Sequence, residues 1–214
     1  MSIGKFTAEQ WRMVVALLVV AVVCTLLLSM TNLWTRAPIE QAERAALMRT
    51  LMQVLPKHSN DPLQDTQRLH VAGQTEPVVF YVARDMKGQP SAFAWEVIAP
   101  DGYSGSIYIL MAVHVDGSIH AVRVTKHQET PGLGDGIVNH QSWLDFFAGK
   151  TLGNVHWGVK KDGGDFDQFT GATITPRAVV KAVKHGLEQF MMYREELLHD
   201  AKQPKSMVEA KNGK

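Results

Sequence analysis

Ser106-Ile107-Tyr108-Ile109-Leu110-Met111-Ala112-Val113-His114-Val115, then Asp116-Gly117, then Ser118-Ile119-His120-Ala121-Val122-Arg123-Val124-Thr125 is the stretch that decides the fold. Two apolar, β-branched runs flank an Asp-Gly pair, whose glycine supplies the positive φ that a tight hairpin turn demands. Upstream, beyond Pro100-Asp101-Gly102-Tyr103-Ser104-Gly105, the same grammar recurs. Pro77 to Ala83, with Val78, Val79, Phe80, Tyr81 and Val82, and Ala92 to Ile98 flank the turn-rich Asp85-Met86-Lys87-Gly88-Gln89. Four strands in two hairpins predict an antiparallel sheet with one face to bury. The polar stretch from His58 to Thr75 reads as a loop with little structure of its own.

Downstream, Lys126-His127-Gln128-Glu129-Thr130-Pro131-Gly132-Leu133-Gly134-Asp135-Gly136 is a glycine-rich loop that can bring backbone amides close to a ligand. It is not a dinucleotide fingerprint, since Ile137 or Asn139 stands where the third glycine belongs. Gln141 to Phe147, carrying Trp143, Leu144, Phe146 and Phe147, predicts a short amphipathic helix whose aromatic cluster belongs to the core. Val155 to Lys160 is a candidate short strand before the polar loop Lys161 to Asp165. A helix is expected from about Pro176 to about His199, with Thr175 as N-cap and Pro176 in the first helical position. Its apolar positions are Val179, Val180, Val183, Leu187, Phe190, Met191, Leu197 and Leu198. The lysine-rich tail 201–214 lacks periodicity and reads as disordered.

The other end of the chain is of a different kind. Met13 to Leu33 is almost wholly apolar and matches the roughly 20 residues needed to cross a bilayer. Trp11 and Trp34 mark its ends as interfacial anchors. It exceeds the roughly 7 to 15 residues of a signal-peptide core, and no small-x-small cleavage site follows, so it reads as an uncleaved transmembrane signal anchor over 13–34. Lys5 and Arg12 on one side face Arg36, Arg44 and Arg49 on the other, so basic residues alone do not orient it. Pro38 to Val54 has a helical period ending at Leu55-Pro56, a stalk or first helix over 35–56. The expected organisation is thus a short N-terminus over 1–12, the anchor, the stalk, a domain over 57–200 and the tail, an α+β architecture of one transmembrane helix and an antiparallel sheet flanked by helices.

Composition narrows the function. The 214 residues are 45% hydrophobic and 20% charged, with 22 basic residues against 21 acidic ones and a net charge of +1. No basic face argues for nucleic acid. The single cysteine, Cys24, lies in the apolar run as a small membrane-buried side chain, which rules out an intrachain disulfide framework and a cysteine-ligated zinc or iron-sulfur site. Gly102-Tyr103-Ser104-Gly105-Ser106 only approximates a nucleophile elbow, which needs glycine at position 106. The nine histidines form no helical pair or tight cluster of the kind that holds a metal.

The chemistry-bearing stretch is Asp167-Gln168-Phe169-Thr170-Gly171-Ala172-Thr173. Gly171 and Ala172 leave the approach to the Thr173 hydroxyl uncrowded, and the helix that begins just beyond it offers amides and a positive dipole end suited to a phosphate. With no activating base beside it, Thr173 is an acceptor rather than a nucleophilic catalyst. The segment Asp-x-x-Thr-Gly-Ala-Thr resembles the flavinylation motif of the FMN-binding domain family, found in the G subunit of Rnf-type (Rsx) ion-translocating electron transport complexes and the C subunit of the sodium-pumping NADH:quinone oxidoreductase. Glu129-Thr130-Pro131-Gly132-Leu133-Gly134 is similar to that family's second motif, and compact length places the chain nearer the Rnf branch.

The resemblance implies FMN held by a phosphoester on Thr173, with Glu129, Thr130, Leu133, Gly134, Thr170, Gly171 and Ala172 lining the flavin site; His127, by its position in the motif loop, is within reach of that flavin. It further implies a flavin transferase that uses FAD and magnesium, for which Asp167 is a possible contact, and other membrane subunits as partners. The implied setting is the bacterial inner membrane, with the N-terminus cytoplasmic and the main domain periplasmic. The function expected is an electron-transfer subunit of a complex that couples electron flow to ion translocation, with the ion pathway in the partners. A membrane-tethered flavin-binding sensory module is the alternative, disfavoured because the sequence carries no appended signalling domain. A structural subunit with unmodified Thr173 is the third possibility.

Overall fold

A computed structural model describes residues 8–202, and the chain divides into two units, residues 1–47 and 48–214. The expected cytoplasmic N-terminus falls partly, and the expected tail mostly, outside the described residues.

The first unit is helical. One continuous helix, α1 (Ala8–Val54), runs through the anchor and on into the second unit without a break at residue 34, carrying Pro38 inside it. It is long and apolar enough to cross a membrane, and its large apolar side chains from Trp11 to Ile39 are exposed, whereas Leu51 and Val54 near its end are buried. At about 1.5 Å per residue its 47 residues span about 70 Å, more than twice a bilayer's apolar thickness. The hydroxyls of Thr25 and Thr31 donate back to the carbonyls of Ala21 (2.8 Å) and Leu27 (2.9 Å). These back-bonds let a threonine hydroxyl sit in an apolar helix without needing water.

The second unit is built on a five-stranded antiparallel meander in the order β1 (Thr66–Leu69), β2 (Val78–Arg84), β3 (Pro90–Ala99), β4 (Ile107–His114), β5 (Ile119–Lys126). The four expected strands are present. The fifth, β1, lies within the segment expected to be loop, paired with β2 from Thr66↔Tyr81 to Leu69↔Val78. The rest of that segment is also fixed: Asn60 Nδ2 donates to the Val82 carbonyl (2.8 Å), and the Arg84 N–H donates to Asn60 Oδ1 (2.9 Å). The expectation that only one face is buried also needs correction. Phe93, Trp95 and Val97 of β3 belong to the main core, while Ala92 and Ala94, which alternate with them, are equally inaccessible.

The main core lies between the sheet and α4 (Ile174–Lys202), a 29-residue amphipathic helix that follows two short ones. Val179, Val183, Leu187 and Phe190 fall at helical spacing and are fully buried. Phe190 stacks on Trp95 with ring centroids 5.6 Å apart, and Phe80 completes the row at 5.1 Å from Trp95. Each such ring removed from water stabilises the fold by about 1.5–3 kcal/mol. Met191, expected in the apolar stripe, is instead 43% exposed. Ala201 is buried and ends the helix with Lys202, so its last turn reaches into the expected tail.

The two short helices, α2 (Gly136–Asn139) and α3 (Gln141–Asp145), follow β5. The expected strand at Val155 to Lys160 is a single bridge, Val159 to Phe166, leading into a 3-10 turn at Lys160–Asp162. Gly164 packs there against the Gly158 backbone, with no room for a Cβ of its own, and the chain turns instead of extending.

Candidate functional site

The loop after β5 turns the carboxylate of Glu129 inward. Glu129 is 4% exposed; its Oε1 accepts the Ser104 N–H (3.1 Å) and its Oε2 accepts the Thr175 hydroxyl (2.5 Å). A buried carboxylate is tolerated only when its oxygens are bonded in this way. The space around it is taken up. A Cβ on Gly134 would lie 2.7 Å from Glu129 Oε2, and one on Gly102 would lie 2.9 Å from Oε1 and 2.2 Å from the Gly105 carbonyl. The loop itself is closed by the Thr130 carbonyl, which accepts from the N–H groups of Leu133 and Gly134 (both 3.1 Å), while the His127 ring accepts the Glu129 N–H (3.2 Å).

The second loop leads into α4. Its carbonyl at Asp167 accepts the Trp143 indole N–H (2.8 Å), and the Asp167 carboxylate pairs with Lys160 (2.6 Å). Phe169 is its wedge, with ring centroids 5.2 Å from His140 and 5.4 Å from Trp143, and its edge over Gly136, where a Cβ would meet it at 2.9 Å. The Ala172 N–H then turns back to the Phe169 carbonyl (3.1 Å). Gly171 takes φ +77°, a conformation that other residues adopt only with strain, and Leu133 Cδ2 lies 3.5 Å from where its Cβ would be. The two motif loops therefore meet, at Leu133 against Gly171 and at Gly136 against Phe169.

Where α4 starts differs from expectation. The Thr173 carbonyl accepts the Arg177 N–H (3.3 Å), so Thr173 holds the capping place and Ile174 begins the helix. Thr175 is not the cap; it is a buried first-turn residue whose hydroxyl is spent on Glu129. Pro176 still sits among the first-turn positions that lack an intrahelical acceptor. The helix start is flanked by ion pairs, Arg177 to Asp162 (2.6 and 2.9 Å) and Lys181 to Asp101 (2.5 Å). Hydrogen bonding to Arg177 holds the Asp162 carboxyl below its ordinary range and raises the guanidinium.

Thr173 and Ala172 are half-buried, and Thr170 and Thr130 are exposed. Two apolar side chains are exposed nearby, Ile174 (45%), which follows the threonine, and Leu133 (49%), against Gly171. Sequence reasoning missed Ser104, which contributes a backbone N–H and so leaves no side-chain signal, and missed Phe169 as the wedge.

These residues fit FMN. The head of a long helix whose first turn carries no acid suits a phosphate, the missing side chain at Gly171 gives access, and the exposed Leu133 and Ile174 offer apolar surface to a ring system.

Residues 102–188 match the FMN-binding domain, and residues 10–54 match the RnfG N-terminal region. The class is therefore that of an FMN-binding domain carried behind an N-terminal apolar helix. The G subunit of the ion-translocating oxidoreductase complex of Shewanella baltica is 46% identical over 179 residues, covering 79% of this chain and 84% of the relative. The proteins of the same name from Vibrio atlanticus (43%, 85% and 90% covered) and Pseudomonas aeruginosa (46%, 80% and 84%) agree. The chain belongs to this family, the G subunits of ion-translocating oxidoreductase complexes. The crystal structure of Shewanella oneidensis NqrC is similar at 26% identity, with a TM-score of 0.47 over 64% of this chain and 73% of that one.

Proposed function

We propose that this protein is the membrane-anchored flavin carrier of an ion-translocating electron transport complex, with FMN esterified to Thr173. Family membership and the FMN-binding domain support the carrier, its flavin and its place among other subunits. The covalent bond rests on one observation: Thr173 heads α4 with its approach open at Gly171 and the second motif's Leu133 opposite.

In this reading the α4 amides and dipole hold the phosphate, Thr130, Gly134, Thr170, Gly171 and Ala172 shape the backbone around it, and Leu133 packs against the ring. Bound flavin supplies one- and two-electron chemistry; the protein orients it and limits its contact with water. Attachment is a phosphoryl-group transfer without redox change. The Thr173 Oγ bonds to the FMN-side phosphorus of FAD, the pyrophosphate P–O bond breaks, AMP leaves and the hydroxyl proton is released. A separate magnesium-dependent flavin transferase carries this out, to which Asp167, exposed and paired with Lys160 in the same loop, offers a carboxylate. Residues 13–34 span the inner membrane, residues 35–56 form a stalk, and residues 57–200 lie in the periplasm, where a phosphoester retains a cofactor that would otherwise be diluted away. One membrane helix builds no ion pathway, so translocation belongs to the partner subunits.

The test is the intact mass and peptide map of protein from its native membrane, beside Thr173→Ala on a denaturing gel under ultraviolet light. Fluorescence that survives denaturation, with an FMN-sized addition on the Thr173 peptide and absent from the variant, is the expected result. An unmodified Thr173 in protein co-expressed with an active transferase would overturn it.

A further inference from the structure

We propose that Glu129 is a positioning residue for Thr173, acting through the hydroxyl of Thr175, and does not itself touch the flavin. The inference rests on the reading of Thr173 as the flavin-bearing residue.

Both oxygens of the Glu129 carboxylate are committed, Oε1 to the Ser104 N–H and Oε2 to Thr175, and the side chain is 4% exposed. What remains of its surroundings is filled by Gly102 and Gly134, neither of which has space for a methyl group. A ligand outside the loop meets the backbone of this motif and Leu133 rather than its acid.

The effect of the carboxylate is on α4. Thr173 caps the turn that Thr175 belongs to, so holding Thr175 inward fixes the start of α4 and with it the place from which Thr173 projects. Helix ends fray, and the ion pairs of Arg177 and Lys181 that flank this one are solvent-exposed and of small worth. The buried bond from Thr175 to Glu129 is the tie that sets the rotation of the first turn. It also joins three segments distant in sequence, the β3–β4 loop, the loop after β5 and the head of α4. Thr173 is thereby held at a fixed height and angle for in-line attack on a phosphorus.

The experiment uses the chain of residues 1–214 in detergent, produced without flavin transferase, then incubated with purified transferase, FAD and magnesium. Covalent FMN is followed by intact mass, and the folded fraction of each variant by thermal melting. Thr175→Val and Glu129→Gln are expected to lower the maximal rate per folded molecule by roughly tenfold to a hundredfold, the scale of an ångström's misplacement, with little change in the KM for the acceptor chain. Thr175→Ser, which restores the hydroxyl, is expected to return most of that rate. The absorption spectrum of the flavin finally attached should be the same in all of them.

Equal rates for Thr175→Val and wild type, or losses that only track the unfolded fraction, would overturn the inference. So would a flavin spectrum altered in Glu129→Gln but not in Thr175→Val, since that is the mark of direct contact. A wild-type chain that takes up no flavin would overturn the reading of Thr173 and this inference with it.

Discussion

The loop after β5 and the loop before α4 look alike on paper, each short, each combining threonine with glycine, yet they are held in opposite ways. The first folds around a buried acid and places its polar chemistry inside, on Ser104 and Thr175. The second is wedged by an aromatic ring among aromatic rings, with its ion pairs outside and Thr173 near the surface. Motif residues of equal prominence thus divide between those that build the platform and those that present a group on it. The distinction is one of burial and bonding, and single substitutions can break it.

Thr173→Ala should have the most complete effect on loading and little on the fold. All covalent flavin is lost on a denaturing gel, while the unfolding free energy falls by no more than about 1 kcal/mol, the scale of a capping threonine. Glu129→Ala should do the reverse in kind, costing about 1–3 kcal/mol in denaturant unfolding because the Thr175 hydroxyl is left buried and unpaired and the Ser104 N–H loses its acceptor. A smaller loss would mean that water reaches the loop. Phe169→Ala should cost about 2 kcal/mol, below the roughly 3–5 kcal/mol of a fully buried ring, since Phe169 is only partly enclosed. Lys160→Ala removes an exposed ion pair with Asp167 and should cost under about 1 kcal/mol.

The smallest effect is one of pH. The Asp162 carboxyl is held below its ordinary value of 3.8 by Arg177, so its contribution is present above pH 3.8 and is lost as pH falls through the lower folded value. Asp162→Asn should therefore differ from wild type in melting temperature at pH 7 and converge with it in strong acid. A difference that persists at the lowest pH would show that the pair acts through shape rather than charge.

Much of the domain was legible because its signals are local. Asp116-Gly117 and the turn from Asp85 to Gln89 announce hairpins, and the apolar run from Met13 announces itself. Strand β1 was not legible, because Thr66-Gln67-Arg68-Leu69 is polar and half-buried at the sheet edge, held by its pairing with β2 rather than by its own pattern. Pro38 did not interrupt α1, where the Arg36–Glu40 pair (3.1 Å) bridges the turn around it. At the site, both motifs could be read, whereas the assignment of Thr175 could not. A threonine before a proline looks like a cap, and only the packing of a loop 46 residues upstream turns its hydroxyl inward. Ser104 was invisible for a simpler reason: every residue but proline has an N–H.

That separation of 46 residues also sets a timetable. The meander joins only neighbours in sequence, so its strands can pair as the chain becomes available, whereas the acid of the β5 loop waits for the last helix of the domain to arrive. On the function proposed here, the acceptor threonine is the final part of the domain to become presentable. A flavin on Thr173 is then a certificate of maturation, attached only to chains that have finished folding.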